Sequence, residues 1–289
     1  MSLLRTVLAA AAVVALAFVG LVAYGSARWR EAGAALAARL QASAAPVAPP
    51  RHDAGQFEAL PAPVQRYLRR ALRADAAPIV SVQFTQEGEF DLGGERARWR
   101  PFVATQQVQI ARPGFVWHAR VFLLPGVAVQ VHDAYVAGEG LLHAALLGLW
   151  SVAELRGAGG IADDELMRWL AESPWYPSAL LPGQGVHWQA VDERRARASV
   201  RDRAREATLE FEFGSDDLVA AVRAPARGRM VGARLVATPW EGRWSRYEER
   251  SGMLIPQAGE VAWLLPGGRR PYWRGTLGRI DYGFAPQAR

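Results

Sequence analysis

The sequence predicts a mainly β protein: a curved antiparallel sheet, forming an open barrel or half-barrel, with a central helix packed on its concave side and an N-terminal transmembrane helix. From Ile79 onward, apolar and polar residues alternate in on the order of ten runs separated by Gly, Pro and Asp turns, too many for one flat sheet. One internal stretch, residues 161–182, begins with helical spacing, and one N-terminal stretch is continuously apolar.

The N-terminal apolar run extends from Val7 to Tyr24 and would be about 27 Å long as a helix, close to the thickness of a bilayer's hydrocarbon core. A cleaved signal peptide is the alternative, with the small residues at 25–27 as its cleavage site. Because the run is longer than the usual core of a signal peptide, we favour an uncleaved anchor. The chain then divides into a transmembrane anchor (residues 1–27), an Ala/Pro-rich linker (28–55) and a single β-rich soluble domain (56–289).

This division predicts a single-pass protein of the bacterial inner (cytoplasmic) membrane, with its soluble domain outside the cytoplasm. Basic residues lie on both sides of the apolar run, so the charge rule for membrane orientation does not decide which end faces the cytoplasm. The net charge of +6 permits contact with anionic lipid. No nucleic-acid-binding motif accompanies that charge, so we expect no nucleic-acid partner. Protein partners cannot be read from the sequence.

The sequence carries no recognised catalytic motif: neither a nucleophile elbow, nor a phosphate-binding loop, nor a dinucleotide or zinc-protease fingerprint is present. With no cysteine, thiolate metal ligands are excluded. His118, His132 and His143 could meet on neighbouring strands, but no carboxylate–histidine spacing supports a metal site there. We therefore expect no cofactor, no metal, no catalytic residues and, on balance, no enzyme.

The central helix begins after Ile161 and ends before Pro174, because the residue preceding a proline avoids the helical conformation. Arg168 and Glu172 are four residues apart on its polar face, so their side chains can pair. Trp175 follows the break between two prolines, and we expect its ring to be mostly buried.

One predicted strand, beginning at Val127, carries a charged residue on its apolar side. Strict alternation turns Asp133 and Tyr135 toward the interior, and an ionised carboxylate there needs a partner. We predict a cluster of Asp133, Tyr135, Arg168 and Glu172 at the helix–sheet junction. With Trp175, these are the candidate ligand-binding residues. One interpretation is a buried ion pair that docks the helix; the other is the polar floor of a pocket, in which Glu172 acts as acid or base.

Several motifs resemble an uncharacterised bacterial family, often membrane-anchored, known as a domain of unknown function. The most specific is E-L-M-R-W-L-A-E-S-P-W-Y-P-S-A-L-L-P at residues 165–182. Others are L-P-A-P-V-Q-R-Y-L at 60–68, R-W-R-P-F-V-A-T-Q at 98–106, P-G-F-V-W-H-A-R at 113–120, D-A-Y-V-A-G-E-G at 133–140 and G-M-L-I-P-Q-A-G-E-V-A-W at 252–263. The resemblance covers about residues 60–282 and implies the fold without implying an activity.

Three classes of function are compatible with these predictions. The leading hypothesis is noncatalytic binding of a lipid or other amphipathic ligand in the half-barrel cavity, by analogy with lipid-binding half-barrels. The alternative is a hydrolase that uses Glu172 or Asp133. A structural or partner-binding envelope protein without a ligand is the third. A mainly apolar cavity beneath the helix favours the first, a solvent-reaching pair of carboxylates the second, and a filled interior the third.

Overall fold

The computed structural model describes residues 2–44, 55–72, 78–93, 96–232 and 234–285. The helices are α1 (Ser2–Ala42), α2 (Gly55–Glu58), α3 (Ala62–Ala71) and α4 (Gly160–Ala171), and three short 3-10 turns follow α4: Ser173–Trp175, Pro177–Leu180 and Pro182–Gln184. The strands are β1 (Ile79–Asp91), β2 (Trp99–Gln109), β3 (Gly114–Leu124), β4 (Val127–Val136), β5 (Glu139–Leu146), β6 (Trp150–Gly157), β7 (Val186–Ala190), β8 (Arg195–Asp202), β9 (Arg205–Phe213), β10 (Val219–Val231), β11 (Arg234–Arg250), β12 (Met253–Leu265) and β13 (Gly268–Phe284).

All thirteen described strands join one antiparallel sheet in the order β6-β5-β4-β3-β2-β1-β13-β12-β11-β10-β9-β8-β7. Consecutive strands pair with each other, with the exception of β6 and β7, and β13 returns to pair with β1, which joins the two halves of the meander. The described edge strands β6 and β7 are not paired with each other. Because each strand is twisted against the next, a sheet of this size curls, and here it stays open. This confirms the predicted curved, open antiparallel sheet.

Helix α4 lies on the concave side of the sheet, as predicted. Its side chains join one large core with inward-facing residues of both sheet halves, and α4 contacts β3–β6 on one side and β9–β10 on the other. The largest fully buried side chains of this core are Trp169, Trp175, Tyr67, Tyr135, Tyr176, Phe84, Phe102, Phe115, Phe211 and Phe213. The helix and the 3-10 turns after it therefore fill much of the concave space.

Helix α1 packs on the opposite, outer face of the same strands. Phe115 and Tyr135 belong to the core around α4, whereas Val116 and Ala134, one residue along each strand, belong to a smaller cluster with Leu40 of α1. Alternate residues of β3 and β4 thus pack toward α4 on one face of the sheet and toward α1 on the other. In this region the molecule has three layers, helix on sheet on helix.

Two strands do not show the alternation expected of them. The stretch from Glu139 to Gly157, which forms β5 and β6, has no clear apolar–polar alternation in its sequence. Strand β5 lies between the two helices, so Leu141 packs toward α1 while Gly140 lies against Ala162 of α4. Strand β6 is an edge strand with mostly exposed side chains. In both cases the contrast between a buried and a solvated face disappears.

The first half of α1 is exposed and the second half is packed. The described helix is long and apolar enough to cross a membrane, a property that signal sequences share. From Val22 onward, Gly25, Trp29, Gly33 and Leu40 turn toward the sheet. The helix passes through residue 27 without a break, and part of the proposed linker, residues 45–54, lies outside the described residues. The division into anchor, linker and domain stays a prediction.

Candidate functional site

The sequence-predicted charged cluster forms where α4 meets the inner face of the sheet. The Arg168 guanidinium donates from Nη1 to Asp133 Oδ2 at 2.6 Å and from Nε to Glu172 Oε1 at 2.7 Å. The three side chains are 12–14% exposed. The structure therefore brings Asp133, Arg168 and Glu172 together as predicted, and whether they bind a ligand stays a prediction.

Strand β2 adds a member that the sequence analysis did not include. Gln106 donates from Nε2 to Glu172 Oε2 at 2.5 Å and accepts at Oε1 from Arg168 Nη2 at 3.3 Å. The Arg168 guanidinium carbon also lies 4.8 Å from the Phe115 ring centre and 5.0 Å from that of Trp117. The guanidinium is thus held by two carboxylates, an amide and two aromatic rings, an arrangement that fixes α4 on the sheet.

Burial alone would lower the pKa of Arg168, but the carboxylates of Glu172 and Asp133 outweigh it and raise that pKa. Glu165, one turn earlier on α4, is also buried, and burial together with the negative charge of Asp133 raises its pKa well above the usual value despite Arg227 at 3.8 Å. Asp133 Oδ1 and Glu165 Oε2 are buried with no hydrogen-bond partner among the described residues. Arg168 is therefore paired with two carboxylates, whereas one carboxylate oxygen of Asp133 and one of Glu165 lack a hydrogen-bond partner among the described residues.

Tyr135 does not belong to this cluster, contrary to the prediction. Its hydroxyl donates to Asp202 Oδ2 at 2.8 Å, and Arg112 approaches the other carboxylate oxygen of Asp202 at 3.4 Å. The inward direction was predicted correctly, but the partner comes from β8, which follows α4 by many residues. Alternation along a strand gives the face of a side chain and carries no information about which distant strand lies opposite.

Trp175 is 1% exposed, which confirms that its ring is buried. Its indole Nε1 donates to the carbonyl of Pro256 on β12 at 3.0 Å, and the ring packs against Phe84 and Trp244. The Tyr282 hydroxyl donates to the Trp175 carbonyl at 2.8 Å. The residue thus ties the exit of α4 to the strands at the middle of the sheet, and it does not line either cavity described next.

A cavity of about 910 Å³ lies between α1 and the outer face of the sheet, and we call it the outer groove. Its α1 wall consists of Ala23, Ser26, Trp29, Arg30, Gly33, Ala34 and Ala37. Its sheet wall consists of Thr85, Gln86, Glu87, Val103, Ala104, Thr105, Gln107, His118, Ala119, Arg120, Gln130, His132 and Gly278. The α1 wall is thus formed largely by small apolar residues, whereas the sheet wall is largely polar and carries both a cationic and an anionic side chain, Arg120 and Glu87.

A second cavity of about 920 Å³ crosses β1 and β11–β13, where Gly88, Gly275 and Gly259 are aligned across three strands. Side chains of both charges, including Glu260 and Arg274, line it. Neither Asp133 nor Glu172 lines this cavity or the outer groove. Neither of these two cavities therefore offers space for a substrate beside the carboxylates that the hydrolase hypothesis requires.

Three histidines lie close together beneath α1, and two of them, His118 and His132, line the outer groove. His118 Nδ1 and His132 Nδ1 are 2.6 Å apart, so one ring donates and the other accepts. Trp29 of α1 stacks on His132 with ring centres 4.1 Å apart and lies 4.8 Å from His143. Burial and the neighbouring His118 lower the pKa of His132 to about 3. Among the described residues, no group of three or more His, Cys, Asp or Glu side chains is arranged to hold a metal.

Two signals in the sequence point to residues that the predicted site left out. Gln106 sits between Ala104 and Val108 on the apolar side of its strand, which is the same signal that identified Asp133. Trp29, Gly33 and Leu40 recur at helical spacing after the anchor, which indicates a helix face that packs against something. The identity of that surface could not be read from the sequence.

A protein-family model described as a family of unknown function (DUF6920) matches residues 58–282. The comparison with curated proteins finds no match. Similar solved structures include a LolA superfamily protein from Nitrosomonas europaea, with TM-score 0.37 and 8% identity over 79% of this chain and 96% of that chain. A DUF1329 family protein from Desulfovibrio piger has TM-score 0.36 and 12% identity over 72% and 87%. A β-barrel-like DUF1849 protein from Brucella abortus has TM-score 0.23 and 12% identity over 72% and 100%. Because these scores and identities are low, we transfer neither a ligand nor a residue role.

Proposed function

This chain belongs to the family of unknown function DUF6920, and we propose that it is a membrane-anchored bacterial envelope protein that binds a lipid or another amphipathic ligand. The sequence predicted this ligand in the half-barrel cavity beneath the central helix, but α4 and the turns after it fill much of that space, as expected of a structural or partner-binding protein. The observation that carries the proposal is therefore the outer groove, on the opposite face of the sheet. Its α1 wall begins at Ala23, inside the apolar run that we interpret as the membrane anchor. A ligand could therefore move from the bilayer into the groove without crossing water.

The chemistry of the outer groove suits a ligand with an apolar tail and an anionic headgroup. Its volume of about 910 Å³ is large enough for a drug-sized molecule or part of a lipid. Arg30 and Arg120 both line the groove, and no described carboxylate forms a salt bridge with either. A guanidinium binds phosphate or carboxylate oxygens through two parallel hydrogen bonds. Two guanidiniums without a carboxylate partner among the described residues, against the one carboxylate of Glu87 in the same lining, favour an anionic headgroup.

Native mass spectrometry of the full-length protein, extracted from membranes in mild detergent, tests this proposal. We expect a bound species with the mass of a lipid. Ala34→Trp should fill the outer groove and remove that species, because Ala34 lines it. Ala35→Trp is the matched control, since Ala35 is exposed on the same helix and does not line the groove. Equal lipid retention by the two variants, or no lipid on the wild type, would contradict the proposal.

The inner cluster of Asp133, Arg168 and Glu172 is a second candidate ligand site. The buried Asp133 Oδ1 and Glu165 Oε2, which have no hydrogen-bond partner among the described residues, favour it. A ligand would reach them only after α4 moves, because the side chains are largely buried. If the cluster binds the ligand, Asp133→Asn should abolish lipid retention in a fully folded protein, while Ala34→Trp should leave it intact.

A further inference from the structure

The exposed part of α1 ends where the folded domain begins. Every described side chain from Leu3 to Leu21 is exposed, and Val22 is the first to be partly covered. A helix of that length spans about 28 Å, which matches the hydrocarbon core of a bilayer. If this segment crosses the membrane, the bilayer surface lies close to residues 22–25.

The turn between β5 and β6 touches α1 at this level. A Cβ added to Gly25 would lie 2.3 Å from the Leu147 carbonyl oxygen and 2.7 Å from the Leu149 side chain. A Cβ added to Gly148 would lie 2.7 Å from the Gly25 carbonyl oxygen. Two glycines facing each other thus bring the turn directly against the helix. The turn is therefore held at the height where the apolar segment ends.

Large apolar side chains near this contact are exposed to solvent. Leu124, at the tip of the β3–β4 hairpin, is 66% exposed, Trp150 is 52% exposed and Val152 is 60% exposed. The hairpin is adjacent to the β5–β6 turn, because the Leu147 N–H donates to the Ala128 carbonyl at 2.9 Å. We call Leu124, Trp150 and Val152 the apolar rim. Tyr24 on α1, 61% exposed, lies at the same end.

Single exposed apolar residues are common on soluble proteins and by themselves indicate nothing. The rim differs because of its position beside the end of a membrane-length helix. Trp and Tyr are favoured at the membrane–water interface, where an apolar ring with one polar group suits the headgroup region. Arg28 and Arg30 follow one turn further along α1, at a height suited to lipid phosphates.

We propose that the apolar rim rests in the interfacial layer of the same bilayer that α1 spans, so that the β3–β4 and β5–β6 tips contact lipid. This inference rests on the proposed membrane anchor. The contact holds the long axis of α1 and the sheet at a fixed orientation to the membrane. It also keeps the Ala23 end of the outer groove at the bilayer surface, where an amphipathic ligand would enter.

Single-cysteine labelling of the full chain tests the inference, because the sequence contains no cysteine of its own. The variants are Leu124→Cys and Trp150→Cys at the rim, Val14→Cys in the exposed helix, and Glu139→Cys at the other end of β5. Each carries an environment-sensitive fluorophore and is reconstituted into phosphatidylcholine–phosphatidylglycerol vesicles. Glu139 is a suitable aqueous control because it pairs with Arg39, near the C-terminal end of α1.

We expect blue-shifted emission at positions 124 and 150, with quenching by lipids that carry a nitroxide at the headgroup. The label at position 14 should respond to nitroxides deep in the acyl chains, and the label at 139 to neither. If position 14 is quenched while 124 and 150 behave like 139, the inference is wrong and the anchor stands. If the label at position 14 also reports an aqueous environment, both the proposed membrane anchor and this inference are wrong.

Discussion

Asp133 illustrates what a single residue can reveal before a structure exists. It stands on the apolar side of β4, and that position alone required a cationic partner. Arg168 was the candidate because it lies on the polar side of the helix, and the two side chains meet at 2.6 Å. The same reasoning placed Tyr135 inside but gave it the wrong neighbour, because its acceptor Asp202 lies on a strand whose position follows from the closure of the whole sheet.

Replacing Asp133 by Asn should destabilise the fold by about 1–3 kcal/mol, because the guanidinium of Arg168 loses one of its two charged acceptors in a buried site. Chemical denaturation of the purified protein measures this difference. Glu206→Gln is the control, since the Arg201–Glu206 pair is on the surface, with 73% and 44% exposure, and its loss should be undetectable. An Asp133→Asn protein as stable as the wild type would contradict a helix-docking role.

His132 should make stability depend on pH. Burial and His118 lower its pKa from 6.5 to about 3 in the folded protein, so below pH 6.5 the unfolded chain binds the proton more readily. The stability contributed by the neutral ring is complete above that pH and is lost as the pH falls toward 3. Thermal unfolding across this range should show the decline. His132→Phe, which keeps an aromatic ring against Trp29, should decline less steeply; identical slopes would contradict this prediction.

At the scale of elements, α4 shows that helical periodicity predicts which residues share a face of a helix but does not predict what that face contacts. The sequence predicted that Arg168 and Glu172 lie on a polar face of this helix. In the structure the helix has no exposed residue from Ile161 to Ala171, and Glu165 is 3% exposed. The polar face of a helix is usually exposed to solvent, but the polar face of α4 contacts charged residues from both halves of the sheet, Asp133 on β4 and Arg227 on β10. Those partners are distant in sequence, so no local pattern could indicate them.

Trp175→Ala should cost about 3–5 kcal/mol, because the ring is fully packed and its removal leaves a cavity at the exit of α4. Trp175→Phe separates packing from hydrogen bonding. It keeps most of the ring but leaves the Pro256 carbonyl without its donor, and should cost about 1–3 kcal/mol. Equilibrium unfolding provides both values. An unchanged midpoint for Trp175→Ala would mean that the ring does not support the core.

Gly33 sets the distance between α1 and the sheet. A Cβ there would lie 2.9 Å from His132 Cε1 and 3.0 Å from His118 Cε1, so Gly33→Val should push the helix away from the strands. We expect a loss of about 1–3 kcal/mol and faster amide hydrogen exchange for residues 29–40. Gly20→Val is the matched control, because nothing lies within 4 Å of a Cβ at that position. Unchanged exchange in Gly33→Val would show that α1 is not docked.

At the scale of the whole molecule, α1 joins two regions that the sequence predicted separately. Length and apolarity predicted an anchor up to residue 27, and Ala- and Pro-rich composition predicted a linker after it. In the structure α1 passes through residue 27 without a break, and its second half packs on the sheet through Trp29, Gly33 and Leu40. The division itself stays a prediction. The open β-sheet followed from alternation and turn residues. The outer groove could not be predicted, because it exists only where a helix from residues 23–37 crosses strands from β1 to β4.

The central claim is that an amphipathic ligand occupies the outer groove, and photo-crosslinking in native membranes tests it most directly. A photoreactive amino acid at Thr105, exposed in the groove wall, should form a covalent adduct with a lipid that mass spectrometry of the peptide identifies. The same amino acid at Gln189, exposed on the opposite edge strand β7, should give no lipid adduct. Lipid adducts at position 105 but not at 189 are the predicted result. No lipid adduct at 105, or equal adducts at both positions, would contradict the account.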